Sequence, residues 1–396
     1  MKKTISATVS WVGKVDWELE RFHGDEYSTH KGSTYNSYVV EEGKTVLIDT
    51  VWKPFAKEFV DNLEAEGLLF KLDAVIAQHG EIDHSGALPE LLRRRPDLPV
   101  YCTANGVKSL KGQYHADWNF QVVKTGDEYD LGNSKKLVFV EAPMLHWPDS
   151  MFSYLTGDAI LFSNDAFGQH LATEKLFNDL VDQNELFHEC IKYYANILIP
   201  FSPLVIKKIE EVLSFNLPLS MIATSHGVIW RDNPAQIVHK YLEWAKDYQE
   251  DRITILYDTM WEGTRIMAET LARSINEASP ETTVVAHCLS KFDKNDALTD
   301  VFRSKAVLLG SPTVNKGILT AVAAILEEAK GLKFRNKKAA AFGTYGWSGE
   351  SVPLLTKALG EAGFTVVDDG LKALWSPDSS SIEAISAYAR GFVEKI

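Results

Sequence analysis

Apolar and polar positions alternate along this chain in two different rhythms. Up to about residue 250 the apolar runs are short and β-rich. Tyr38 to Val40 and Thr45 to Ile48 flank the turn-like Glu41 to Lys44 and predict a hairpin. Phe55 to Glu66 has amphipathic helical spacing, and Leu72 to Ala77 reads as a buried strand. Strands are also expected at Val100–Thr103, Phe120–Val123 and Lys136–Val140, with a second hairpin of Phe152–Leu155 and Ile160–Ser163. The broken apolar stretch in MKKTISATVSWVGKV lacks the long core of a secretory signal and reads as a first strand.

From Arg252 the rhythm becomes regular. Strands at Ile253–Tyr257, Thr283–Leu289, Ala306–Gly310, Ala339–Gly343 and Phe364–Val367 alternate with helices. Those helices are expected at Thr264–Ser279, Ala297–Arg303, Gly317–Ala329, Glu350–Ala362 and Ser380–Val393. Successive βα units predict a doubly wound parallel sheet with ligands at the strands' carboxyl ends. The expected domains are therefore residues 1–250 and 251–396.

Composition narrows the function without naming it. A chain of 396 residues with 45% hydrophobic and 24% charged positions suits two globular domains. The net charge of −13 argues against nucleic acid and anionic membrane surfaces as partners. No run approaches the ~20 apolar residues of a membrane span. The three cysteines are far apart and form no C-x-x-C pair, as expected of buried thiols in a reducing cytoplasm.

Chemistry concentrates first at Gln78–Ala87, Q-H-G-E-I-D-H-S-G-A, between the strand ending at Ala77 and a helical run from Ala87 to Arg95. His79, Glu81, Asp83 and His84 fall within six positions. Imidazole and carboxylate together on a loop held by regular structure suit a metal site. His146, Asp165 and His226 each follow another strand-like run, so four strand ends have the means to converge on one point. A single loop histidine is more often merely solvated; the cluster at 79–84 is not so easily dismissed.

In the second half, D-T-M-W-E-G-T (Asp258 to Thr264) brings hydroxyls at Thr259 and Thr264, with Met260, Trp261, Glu262 and Gly263 between, to a helix N-terminus suited to phosphate. It is neither a P-loop nor G-x-G-x-x-G. Ser311, Pro312, Thr313 and Asn315 follow the third strand. Phe342, Gly343, Thr344, Tyr345, Gly346, Trp347 and Gly349 end the fourth. One phosphate loop and two Gly/aromatic loops suit a mononucleotide flavin, FMN.

These motifs together resemble the flavodiiron proteins (A-type flavoproteins). The resemblance rests on H-G-E-I-D-H at 79–84, M-L-H-W-P-D-S-M at 144–151, S-N-D-A-F-G-Q-H at 163–170, Y-Y-A-N-I at 193–197 and S-H-G-V-I-W-R at 225–231, with the two flavin loops. It implies an N-terminal metallo-β-lactamase-like αββα sandwich followed by a flavodoxin-like sheet. It implies two iron ions, one on His79, Glu81 and His146, the other on Asp83 and His226, with Asp165 bridging and His84 beside the metal or on it. Glu81, where zinc hydrolases of this fold carry histidine, favours iron; a zinc hydrolase fused to a flavodoxin-like domain is the competing reading. Asp49 is expected to orient ligands, and His23, Tyr27 and Tyr194 to supply protons. The implied activity is reduction of nitric oxide to nitrous oxide, of dioxygen to water, or both. The implied electron donor is a rubredoxin or rubredoxin-type reductase, because three cysteines cannot build a rubredoxin site in this chain. A head-to-tail homodimer or homotetramer, pairing one subunit's FMN with another's irons, is also implied.

Overall fold

The computed structural model describes residues 2–396. By compactness the chain divides into two units, Met1–Tyr193 with Phe201–Leu242, and Tyr194–Pro200 with Glu243–Ile396. The composition change near Glu250 therefore comes after the structural division. Trp244, seven residues beyond Ile237, already packs on Tyr194 inside the second unit.

The first unit is a sandwich of two sheets. Seven strands lie in the order Lys3–Thr4, Val9–Trp11, Tyr38–Glu41, Thr45–Ile48, Leu72–Ile76, Val100–Cys102, Phe120–Val122. Five more run Glu128–Gly132, Lys135–Glu141, Met151–Leu155, Ile160–Asn164, Met221–Thr224. Alternate side chains of both sheets, among them Val40, Ile48, Ile76, Phe139, Leu155 and Phe162, form one buried core. Burial of this kind, at about 25 cal/mol per Å², is what holds two sheets face to face. The expected first strand is instead broken: Lys3–Thr4 turns back antiparallel onto Val9–Trp11, with Ile5 N–H bonded to the Val9 carbonyl, and a third strand, Lys14–Asp16, follows. The Ser/Thr positions that break the apolar run are where it turns.

The second unit is a parallel sheet ordered Thr283–Cys288, Glu250–Tyr257, Ser304–Gly310, Lys338–Tyr345 and Thr365–Val366, with Leu371–Leu374 also pairing with Lys338–Tyr345. Helices Gly263–Ala278, Lys294–Arg303, Thr320–Leu332, Ser351–Glu361 and Ser379–Val393 follow successive strands. The strand at Leu371–Leu374 is absent from the sequence reading, since L-K-A-L is too short and mixed to signal one. No helix among the described residues is long and apolar enough to cross a membrane.

Candidate metal centre and flavin site

The strand Leu72–Ile76 delivers His79 and Glu81 directly, and the short helical turn Ile82–Ser85 then swings Asp83 and His84 inward. Strand Ile160–Asn164 ends at Asp165, and Met221–Thr224 leads to His226. The convergence expected from the strand ends is what the fold produces.

Two half-sites result. In the first, Glu81 Oε2 lies 3.2 Å from His79 Nε2 and 3.3 Å from His146 Nε2. In the second, Asp83 Oδ2 lies 3.0 Å from His226 Nε2 and 3.2 Å from His84 Nε2. Asp165 spans them. Its Oδ2 is 3.6 Å from both His79 and His146, and its Oδ1 is 3.1 Å from His84 and 3.4 Å from His226. His84 thus aims Nε2 into the second half-site.

Electrostatics mark the place as built for cations. Burial opposes protonation of His79, yet hydrogen bonds to Asp149 and Glu81 push it up to about 10. Burial likewise opposes charge on His226, but Asp165 and Asp83 carry it to about 9. Burial penalises the Asp165 and Glu81 carboxylates too, and the surrounding histidines nonetheless hold both well below the usual range. Both carboxylate oxygens of Asp83, Oδ2 of Asp165 and Nε2 of His84 are buried without a hydrogen bond. Ion-pair distances without hydrogen-bond geometry, between buried atoms, fit atoms arranged around a shared metal. The donor set, four imidazoles and three carboxylates, suits iron better than a histidine-only zinc site.

Outer contacts fix the ligands. Asp149 pairs with His79 Nδ1 at 3.0 Å and accepts from Gly80 N–H at 2.7 Å. A Cβ at Gly80 would stand 2.6 Å from Ser109 and 2.7 Å from Asp149, so only glycine admits this clasp. The Thr34 carbonyl takes His226 Nδ1 at 2.7 Å. Asp49 accepts from Gln78 N–H at 2.8 Å, and burial raises its carboxyl to about 6. Asp149 lies inside the quoted M-L-H-W-P-D-S-M and went unassigned. His170 was missed as well: buried against the His226 ring at 5.1 Å, it meets Ser33 through Nδ1.

His23 places Nε2 3.1 Å from Glu81 Oε1. Tyr27 packs on His170 at 5.1 Å. Tyr194 is a correction. It packs on Trp244 and Phe302 in the second unit, while its neighbour Tyr193 is the tyrosine against His170, at 5.3 Å. Adjacent positions on a helix point about 100° apart, and the phase favours 193.

In the second unit a cavity of ≈ 630 Å³ opens at the strands' carboxyl ends, within the range of small-molecule sites. Thr259, Met260, Trp261, Gly263, Pro312, Thr313, Asn315, Thr344, Tyr345, Gly346 and Trp347 line it as expected. Thr259 Oγ1 is buried and unpartnered there, as a hydroxyl awaiting a phosphate oxygen would be. Trp261 and Trp347 are 89% and 87% exposed, and Trp347 meets the Trp375 ring at 6.2 Å. These features fit a flavin mononucleotide.

The other expected flavin residues stand behind the wall. Thr264 bonds Thr344, hydroxyl to hydroxyl, at 3.0 Å, and Ser311 Oγ accepts from Leu319 N–H. Phe342 belongs to the sheet core. Gly343 lets the Ser311 carbonyl pass where a Cβ would collide, and Gly349 lies against the Tyr345 ring. Glu262 turns outward to ion-pair with Arg265. Lys316, Ser348, Trp375 and Ser376 line the cavity without having been singled out.

Comparison with known proteins agrees with this geometry. A profile of the ODP family β-lactamases matches residues 33–227, and a flavodoxin profile matches 255–387. An anaerobic nitric oxide reductase flavorubredoxin of Klebsiella pneumoniae subsp. pneumoniae is 56% identical over 391 residues, covering 98% of this chain and 81% of that protein. One from Aeromonas salmonicida is 55% identical over 387 residues, 98% and 74% of the two chains. Among solved structures, rubredoxin oxygen:oxidoreductase of the anaerobe Desulfovibrio gigas superposes with TM-score 0.95 at 35% identity, over 100% of this chain and 99% of that one. The flavodiiron protein of Giardia intestinalis gives 0.94 at 31%, over 100% and 96%.

A β-lactamase-like sandwich with a carboxylate-rich two-metal site, joined to a flavodoxin fold, defines a class of flavin- and iron-dependent oxidoreductases. The chain belongs to the flavodiiron protein family, and its cofactors are FMN and a pair of irons.

Proposed function

We propose that the protein reduces small diatomic gases, nitric oxide to nitrous oxide in preference to dioxygen to water, with electrons reaching its irons through FMN from a rubredoxin-type donor. The single observation that carries this is Asp165, reaching toward one half-site with each carboxylate oxygen while Glu81 takes a position within the first. Iron in both half-sites would supply redox equivalents to a bound gas, and FMN would feed them from a two-electron store.

In this reading His79, Glu81 and His146 would hold one iron and Asp83, His84 and His226 the other, with Asp165 available to both. His23 holds a proton at Nε2 against Glu81, because Glu81 outweighs the cost of burial there. Tyr27 and Tyr193, their rings tilted against His170, enclose the second half-site and limit water beside it. Thr259 and the N-terminus of the helix Gly263–Ala278 would hold the FMN phosphate, and Trp347 and Tyr345 would hold its ring. The 56% relatives, described as nitric oxide reductases, favour nitric oxide; the oxygen oxidoreductase stands at 35%.

A head-to-tail homodimer or homotetramer and a cytoplasmic location belong to the same proposal; the three free thiols accord with a reducing compartment. The test is steady-state consumption of nitric oxide and of dioxygen, measured separately with a reduced rubredoxin-type donor, beside metal analysis of anaerobically purified protein. Iron with a fast nitric oxide rate supports the reading. Stoichiometric zinc with esterase activity would replace it by the hydrolase reading, and a dominant dioxygen rate would reverse the preference.

A further inference from the structure

A second cavity, of ≈ 110 Å³, lies in the sandwich unit, away from the histidines and carboxylates. Its walls come from strand Ile160–Asn164 through Leu161, from helix Ser202–Ser214 through Ile209, and from helix Ala235–Ala245 through Val238. Leu213 and Leu217, 56% and 42% exposed, stand at its rim, so it opens to solvent. The side chain with a polar atom is Tyr154, whose hydroxyl donates to the Pro218 carbonyl at 2.7 Å.

We infer that this cavity binds small apolar gases and supplies them to the metal loop. Three observations carry it. A water needs two to four polar partners, and Tyr154 is the one lining side chain with a polar atom, so an apolar guest is favoured over water. The volume suits a guest of a few atoms, well short of an acyl chain. The lining also includes Phe167, two residues beyond Asp165, in the turn closed by Gly168 N–H to the Asp165 carbonyl at 3.0 Å. A Cβ at Gly168 would lie 3.2 Å from the His226 carbonyl, so that turn packs directly on a second metal-site residue. The cavity thus backs onto the segment that carries Asp165. Nitric oxide and dioxygen are of the class it would hold, and this supply role rests on the function proposed above; the binding itself does not.

The experiment is xenon pressurisation of crystals of the iron- and FMN-loaded protein, with Ile209→Phe to fill the cavity and Leu213→Trp to cap its rim. Xenon should seat between Phe167 and Ile209 in the parent and vanish in I209F. Both variants should lower kcat/KM for nitric oxide about three- to tenfold while kcat at saturating gas stays level. Should I209F fold poorly, L213W on the exposed rim carries the same comparison. A parent cavity without xenon, an acyl chain seated there, or unchanged kcat/KM in the folded variants would overturn the inference. An enzyme that turns over neither gas would refute the functional reading, and xenon in the cavity would still uphold the binding site.

Discussion

Asp149→Asn is the sharpest test of how the metal site is held. Asp149 binds two groups at once, His79 Nδ1 at 3.0 Å and Gly80 N–H at 2.7 Å. Asparagine keeps the shape but has one acceptor oxygen. If that oxygen stays with Gly80, the amide N–H₂ faces His79 Nδ1, and two donors meet in a site from which water is excluded. The imidazole escapes by moving its proton to Nε2, the nitrogen aimed at Glu81 and Asp165. A histidine protonated there cannot bind metal. Loss of such an outer partner costs about 10- to 100-fold in metal affinity, or about 1.4–2.7 kcal/mol. The damage should fall on one half-site, because Asp83, His84 and His226 have no contact with Asp149 among their ion pairs. Anaerobic ferrous titration against a chelator should show one iron weakened and one near the parent value, with FMN content unchanged. Asp149→Glu should do no better, the longer arm being blocked by Gly80 and Ser109. Two irons bound with parental affinity in D149N would show that Asp149 does not set the His79 tautomer.

The other predictions are briefer. Gly80→Ala forces a Cβ to 2.6 Å from Ser109 and should cost about 1–3 kcal/mol of stability, read as a lower Tm of the sandwich unit. Trp347→Ala and Trp375→Ala should each weaken FMN by about two- to twelvefold, as loss of about 0.5–1.5 kcal/mol of ring contact implies; recovery of free-flavin fluorescence on dilution measures it. Tyr193→Leu should slow gas reduction while Tyr194→Leu leaves it within about twofold, since of the two rings that of Tyr193 packs on His170; equal effects would contradict the helix phase. Burial lowers Lys337 to about 7 from 10.5. The unfolded chain therefore holds the extra proton between those values, and stability rises with pH across that window. Relative to Lys337→Met, the parent should gain about 1–3 kcal/mol in urea unfolding from pH 7 to 10, less than the full shift because three carbonyls, of Tyr248, Phe302 and Ser304, accept from the ammonium.

The site was legible wherever function coincides with a strand end. Alternation told buried strand from loop, and loops at strand ends are where the fold gathers side chains, so His79, Glu81, Asp83, His146, Asp165 and His226 could be placed together before any geometry was known. The flavin loops after Tyr257, Gly310 and Gly343 were legible for the same reason. Trp375 was not, because the strand that delivers it, Leu371–Leu374, owes its existence to pairing with Phe342–Tyr345 rather than to its own propensity. Long-range pairing of that kind leaves no local signal.

What stayed hidden at the metal centre has a different cause. Asp149 carries the same letter as Asp165, and nothing in its spacing distinguishes a ligand from the residue that aims one. The distinction is set by a backbone approach at Gly80, 69 positions away, which brings a carboxylate to the far nitrogen of His79. Tyr193 and Tyr194 present the same difficulty over one residue. The α-helix Gln183–Tyr193 gives way to a π-helical turn at Tyr194–Leu198, and that change of pitch decides which ring joins the sandwich unit and which packs on Phe302. His84 shows the converse. Its side chain was ambiguous in sequence because an i, i+1 pair with Asp83 normally diverges. The tight turn at Ile82–Ser85 instead lets both reach His226's half-site, Asp83 through Oδ2 and His84 through Nε2. A His84→Asn variant that still bound two irons with parental affinity would mean that this inward turn serves Asp83 alone.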